Sequence, residues 1–217
     1  MKSVLVIGMG RFGYNLALKM QALGNDVMIV DRNEKLINNI APYFTDSHIG
    51  DCTSESVLRA LDVKQMDICF VAMGEDFQSS LVITSLLKQV GAKYVVAKAN
   101  QEIQANLLKQ IGADEVVYPE REIAEKLAVR YNTDNIFDCI QLTAEYSIYE
   151  IPVASDWVGK SLIELDIRKN YGINIIAIKQ GTVLQPSPRP DYLFNADDHV
   201  VVIGRANDVF KLTGKKM

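Results

Sequence analysis

The sequence predicts an α/β fold, a doubly wound parallel sheet followed by a smaller α+β domain. Three observations carry that prediction. Strand and helix signals alternate from the start to about residue 130, the pattern of βαβ units. A glycine turn, Gly8-Met9-Gly10-Arg11-Phe12-Gly13, separates the first strand signal from the first helix signal, and Asp31 closes the second strand signal. After Pro119 the rhythm changes to short strands and turns. Strand, glycine turn, helix, strand and acid together form the full context of a dinucleotide-binding fingerprint, so the sheet is predicted to be Rossmann-like.

The elements follow in order. Strands are expected at 4–7, 27–30, 47–49, 68–72, 94–97 and 115–117, the first two being apolar runs. Between them lie helices at 12–23, 34–40, 55–61, 77–90 and 101–111. In the first helix Leu16, Leu18, Met20 and Leu23 are the apolar positions. The strands at 68–72 and 94–97 are almost wholly apolar, as in a parallel sheet covered on both faces. Gly24, Gly91 and Gly112 each stand where a left-handed cap ends a helix. Residues 120–130 read as one more helix, with Ile123, Leu127 and Arg130 on one side. The polar run 131–135 ends this first domain, 1–135, and a short or helical hinge leads to the second, 136–217. There the signals are strands at 146–153, 173–179 and 199–204 and a short helix at 161–165. The proline-rich stretch 185–190 reads as a loop that cannot join a central strand.

The bulk composition narrows the function. Of 217 residues, 48% are hydrophobic and 23% charged, ordinary values for a globular protein. The net charge of −4 gives no support to a nucleic-acid partner. Cys52, Cys69 and Cys139 form no C-x-x-C pair and read as reduced, packed thiols of a cytosolic protein. His48 and His199 are too few and too separated for a histidine metal site. No apolar run approaches the roughly 20 residues that span a bilayer. The opening strand is not a signal peptide, because Gly8 and Gly10 interrupt it.

The glycine spacing has a chemical reason. Gly8 permits the tight turn, Gly10 lets backbone approach a phosphate, and Gly13 lets helix pack closely on strand. The helix start offers free N–H groups and a positive dipole end to the phosphates. Phe12 lies inside this turn, and Asp31, followed by Arg32, is placed to accept from ribose hydroxyls. Arg11 aims a guanidinium at a terminal phosphate or at a neighbouring subunit's ligand; a surface ion pair is the alternative. Asp51-Cys52-Thr53 follows the third strand, where Asp51 either meets an adenine amino group or caps the next helix with Thr53. Ala72 and Gly74 end the fourth strand with residues small enough for a ligand to lie along it, and Asp76 is placed to cap the helix that follows. Lys98 ends the fifth strand as a second phosphate cation, and Glu120 stands as a favourable acid at a helix start. Beyond residue 136 there is no lysine–tyrosine pair at helical spacing and no Ser/His/Asp grouping, and no Walker pattern occurs. The chain binds a nucleotide without machinery to react it, which favours a sensor over an oxidoreductase.

These residues resemble a known family. Val6-Ile7-Gly8-Met9-Gly10-Arg11-Phe12-Gly13, Val30-Asp31, Gly50-Asp51-Cys52-Thr53, Ile111-Gly112-Ala113-Asp114 and Tyr118-Pro119-Glu120 look like the RCK (KTN, TrkA-N) domain of cytosolic regulators of potassium transport. Ser161-Leu162, Tyr171-Gly172, Ile175-Ile176-Ala177-Ile178 and Asp197-Asp198 resemble its RCK_C (TrkA-C) module. A single unit of this length is closer to the Ktr-type members than to the Trk type, which typically duplicates it. The resemblance implies a homo-octameric ring of dimers, cytoplasmic and peripheral at the inner face of the membrane, beneath a potassium-translocating subunit of the KtrB/KtrD kind. It implies that ATP and ADP compete for the Rossmann site, with NAD(H) as the alternative ligand of Trk-type members. Arg11 matches the arginine that reaches the γ-phosphate across a dimer interface, and Asp31 the ribose acid. Glu120 matches a glutamate that holds a cation, divalent or Na+, near the ATP phosphates between subunits. In the second domain Ile163, Arg168, Asn174, Ile175 and Pro190 resemble a cyclic di-AMP pocket: its apolar wall, phosphate-binding arginine and adenine contact. Read from the residues alone, the isoleucines are equally core and Pro190 a loop restraint.

Overall fold

Short β-branched runs set the first sheet. β1 (Ser3–Ile7), β2 (Asp26–Asp31), β3 (Asp46–Ile49), β4 (Ile68–Val71), β5 (Val95–Lys98) and β6 (Glu115–Val117) pair in parallel in the order β3-β2-β1-β4-β5-β6. Residues 1–132, 138–143 and 145–212 are described in the computed structural model. The chain divides into two units, Met1–Glu122 and Ile123–Met217. The expected domain boundary at 135/136 lies outside the described residues.

Both faces of the first sheet are covered. Along β1, Val4 and Val6 belong to one buried cluster with Ala17, Ile29 and Ile37, while Leu5 and Ile7 belong to another with Leu58, Leu87 and Leu108. Period-2 alternation with every residue apolar is what a strand between two layers requires. Helices α1 (Arg11–Ala22) and α2 (Glu34–Ile40) supply the first layer; α3 (Glu55–Ala60), α4 (Phe77–Gln89) and α5 (Glu102–Gln110) supply the second. Helix α6 (Pro119–Asn132) follows β6. In α1 the stripe that packs on the sheet is Gly13 and Ala17, with Leu18 and Met20 half-buried beside it. Leu23, expected inside the helix, lies beyond its end and is 65% exposed. Ile123 and Leu127 of α6 are also exposed. The chain leaves β1 for β2 on one side and returns to β4 on the other, which opens a crevice at the C-terminal ends of β1 and β4.

The second unit is an antiparallel sheet. β7 (Asp138–Gln141), β8 (Tyr146–Pro152), β9 (Asn174–Gln180), β10 (Val183–Pro186) and β11 (Asp198–Arg205) lie in the order β10-β9-β11-β8-β7. Alternation in β8 and β11 turns Tyr149, Ile151, Val200 and Val202 onto a core built around Trp157 and Phe194. Helices α7 (Leu162–Leu165), α8 (Ile167–Tyr171) and α9 (Ala206–Leu212) accompany this sheet. The expected loop at 185–190 needs correction at its start, because Gln185 and Pro186 finish β10. That strand is an edge, where a residue without an N–H is tolerated.

Candidate functional site

The three glycines of the turn do different things. Gly8 has φ +92°, a conformation that side-chain-bearing residues rarely adopt. A Cβ on Gly13 would lie 2.0 Å from the Gly8 carbonyl oxygen, so α1 rests on the end of β1 only because Gly13 has none. Gly10 needs neither explanation. Its φ of −65° suits any residue, and a Cβ there would meet no protein atom within 4 Å. What remains is the space itself, which lies at the start of α1. That helix has no side-chain cap and no acid in its first turn. Its first N–H groups and its positive dipole end therefore lack a capping partner from the turn. The geometry fits a phosphate.

The acids at the strand ends are partly committed. Asp31 accepts from the Met9 N–H at 2.7 Å and from the Asn33 N–H at 2.8 Å, so one carboxylate fixes the glycine turn and the entry to α2. Each oxygen of a carboxylate accepts more than one bond, and ribose hydroxyls can join. Asp51 does not cap α3, whose N-cap is Ser54. It closes its own turn by accepting from the Thr53 N–H (3.0 Å) and hydroxyl (2.7 Å), and these bonds hold its carboxyl below the usual range. Cys52 between them is buried, which pushes its thiol up to about 12 and leaves it inert at neutral pH. Arg32 reaches Asp76 at 3.6 Å, an ion pair from the end of β2 to the start of α4. Asp76 caps α4 through the Ser79 N–H at 3.0 Å.

A buried cation completes the crevice. Lys98 at the end of β5 has a side chain only 9% exposed. Its Nζ contacts the Glu120 carboxylate at 2.5 Å, lies 5.8 Å from the Phe12 ring centroid, and would be 3.2 Å from a Cβ on Gly74. Glu120, in the first turn of α6, is 69% exposed; the Lys98 bond, with Arg11 adding in the same direction, holds its carboxyl below the usual range. Ala72 is buried beside the turn, and its Cβ would stand 3.0 Å from one on Gly13. Sequence reasoning missed Asn100, whose Nδ2 donates to the Gly74 carbonyl. Its signal was its place two residues after Lys98, on the same side of the extended chain. Among the described residues no group of three or more His, Cys, Asp or Glu side chains gathers as a metal site, at Glu120 or elsewhere.

In the second unit four of the five candidate residues fall into two touching pairs. The Arg168 Nε donates to Asn174 Oδ1 at 2.7 Å, joining α8 to the first residue of β9. The Ile163 N–H donates to the Pro190 carbonyl at 3.1 Å, joining α7 to the loop after β10. Ile163 is 67% exposed and is not core; Ile175 is half-buried against the core around Trp157 and Phe194.

Comparison with known proteins follows this geometry. The TrkA-N domain family matches residues 4–119 and the TrkA-C domain family residues 147–214. Ktr system potassium uptake protein C of Bacillus subtilis (strain 168) is 38% identical over 208 residues, 96% of this chain and 94% of that protein. Ktr system potassium uptake protein A of the same organism is 32% identical over 216 residues, 100% and 97% respectively. Among solved structures, the GsuK RCK domain superposes with a TM-score of 0.70 and the GsuK channel bound to NAD with 0.72, each at 19% identity. Both cover 100% of this chain, which spans 48% and 40% of those chains, so this likeness is one of fold.

Proposed function

The chain belongs to the family that joins a TrkA-N domain to a TrkA-C domain, and on that premise we propose that it is the cytoplasmic regulatory subunit of a Ktr-type potassium uptake system, controlled by ATP and ADP and not itself an enzyme. Near full-length similarity to two Ktr potassium uptake proteins supports the system. The observation that carries nucleotide control is Gly10, a glycine that neither conformation nor packing of this chain requires.

Arg11 opens α1 beside that space and is the group that tells ATP from ADP. A guanidinium on the terminal phosphate makes a charge-assisted bond that ADP lacks. Lys98 is the second phosphate cation. A nearly buried ammonium needs a counter-charge, which Glu120 supplies here. When phosphate takes that role, Glu120 is released to hold a cation, divalent or Na+, with donors from a second copy. Asp31 and Asp51 face the ribose and the adenine. The ligands act by differential affinity for two shapes of a homo-octameric ring of dimers, ATP favouring the active and ADP the inactive shape, with no hydrolysis step. The ring engages a membrane potassium-translocating subunit at the inner face of the membrane; among the described residues no helix is long and apolar enough to cross it. The division at 135/136 separates this nucleotide domain from a second one that binds cyclic di-AMP through Arg168, Asn174, Ile163, Ile175 and Pro190.

Titration calorimetry of the purified chain with ATP, ADP and NADH tests the first site. Saturable binding of both adenine nucleotides, lost in Asp31→Ala, is expected. Binding of NADH alone replaces the ATP/ADP reading with an NAD(H)-responsive one, and hydride transfer from it would revive an oxidoreductase.

A further inference from the structure

The loop that carries Pro190 is anchored on two sides. On one side it is tied to the start of α7. Besides the Ile163–Pro190 bond, the Phe194 N–H donates to the Lys160 carbonyl at 3.1 Å and the Gly159 N–H to the Phe194 carbonyl at 2.8 Å. On the other side stands Asp198, the first residue of β11, with no exposed surface at all. Its Oδ1 accepts from Gln180 Nε2 at 2.9 Å; its Oδ2 accepts from the Tyr192 hydroxyl at 2.8 Å and the Asn195 N–H at 2.8 Å. Gln180 Nε2 also reaches the Tyr192 hydroxyl at 3.0 Å. Two of these donors belong to the loop and the third ends β9, the strand that opens with Asn174 and Ile175. All three are neutral. A fully buried carboxylate is costly, and here its charge is spent on directed bonds to the two segments that carry the candidate ligand residues. The neighbouring Asp197 is exposed, so only the second acid of the Asp197-Asp198 pair enters this network.

We propose that Asp198 is a positioning residue of the second-domain ligand site, fixing the 189–195 loop so that Pro190 stands against Ile163 while β9 presents Asn174 and Ile175. The inference rests on the reading that this domain binds cyclic di-AMP. Asp198 itself touches none of the candidate ligand residues and acts through Tyr192, Asn195 and Gln180.

The test uses the full chain, titrated with cyclic di-AMP and separately with ATP. Tyr192→Phe removes one donor and leaves the carboxylate two; its cyclic di-AMP affinity is expected to fall about tenfold, the effect of one lost bond to a charged group. Asp198→Asn turns an NH2 toward at least one donor and removes the charge, and is expected to lose more, while Asp197→Asn changes nothing. ATP affinity stays the same in all three. Amide exchange separates positioning from general destabilisation: in Tyr192→Phe the Ile163 amide exchanges faster while Val200 and Val202 stay protected. Should Asp198→Asn fail to fold, Tyr192→Phe decides. Unchanged cyclic di-AMP affinity in Tyr192→Phe overturns the inference, and so does a loss that tracks lost protection in β11. If the unaltered chain binds no cyclic di-AMP, the ligand reading falls and the inference with it.

Discussion

Replacing Gly10 with alanine separates folding from ligand binding at one atom. Two stability effects oppose each other. At φ −65° alanine is accommodated and restricts the unfolded chain, a gain of about 0.4–1 kcal/mol. Gly10 is also the N-cap of α1, where alanine is inferior to glycine by a similar amount. A Cβ there meets no protein atom within 4 Å, so no steric cost is added. The net change stays within about 1 kcal/mol, which in a domain of this size moves Tm by less than about 4 °C. Ligand response is a different matter. The unaltered chain at ATP a hundredfold above Kd gains about 2.7 kcal/mol, hence roughly 5–11 °C. In Gly10→Ala the methyl occupies the phosphate's place, and that gain disappears. Gly13→Ala is the contrasting case, since its Cβ would lie 2.0 Å from the Gly8 carbonyl oxygen and must displace the turn; it lowers Tm without any ligand. Thermal melts with and without ATP read all three proteins. An ATP-induced shift in Gly10→Ala equal to that of the unaltered chain would refute a phosphate at this backbone.

Arg11→Ala weakens ATP about tenfold more than ADP, in keeping with one charge-assisted bond to the third phosphate; equal losses by calorimetry would make Arg11 a general charge. Burial holds the Cys52 and Cys69 thiols at about 12, so iodoacetamide at pH 8 leaves both unmodified until urea is added, as mass spectrometry of digests will show. Burial pushes the Asp198 carboxyl up, but the bonds from Asn195, Gln180 and Tyr192 together outweigh it and hold the group below the ordinary 3.8. A depressed carboxyl gives stability present above the unfolded value and lost as pH falls through the folded one. The gap in urea midpoint between the unaltered chain and Asp198→Asn is therefore full at pH 7 and narrows only below about pH 4; a gap that widens on acidification contradicts the assignment. Arg168→Ala abolishes cyclic di-AMP binding by the full chain while its melt without ligand is preserved.

Much of the first domain is written in local sequence. Short, mostly apolar runs alternating with helices, three of them followed by glycine, leave few options beyond βαβ units, and all six strands stand within two residues of expectation. The glycine turn was readable because Gly8 and Gly13 each answer a separate steric demand, whereas Gly10 answers none within the chain. The second domain was less legible. Its edge strand β10 consists of exposed residues and ends in proline, so neither periodicity nor propensity marks it. Helix α8 has five residues and its N-cap is Asp166, a non-glycine residue at φ +39° that no local rule anticipates. Within the candidate sites, what escaped were bonds between distant positions. Asp31 to the Met9 N–H, Lys98 to Glu120 and Asp198 to Gln180 each depend on which strand ends the topology brings together. Residue type left Asp51 open between an adenine contact and a helix cap; the cap position belongs to Ser54, and Thr53 stands close enough to bond the Asp51 carboxylate.

Potassium flux tests the account most directly. Proteoliposomes carrying a Ktr-type membrane subunit, loaded with this chain and either ATP or ADP, report whether the nucleotide sets the transport rate. Uptake is expected to be faster with ATP than with ADP, and the difference to vanish in Arg11→Ala and Gly10→Ala. Flux that is the same with ATP, with ADP and with no nucleotide would contradict it.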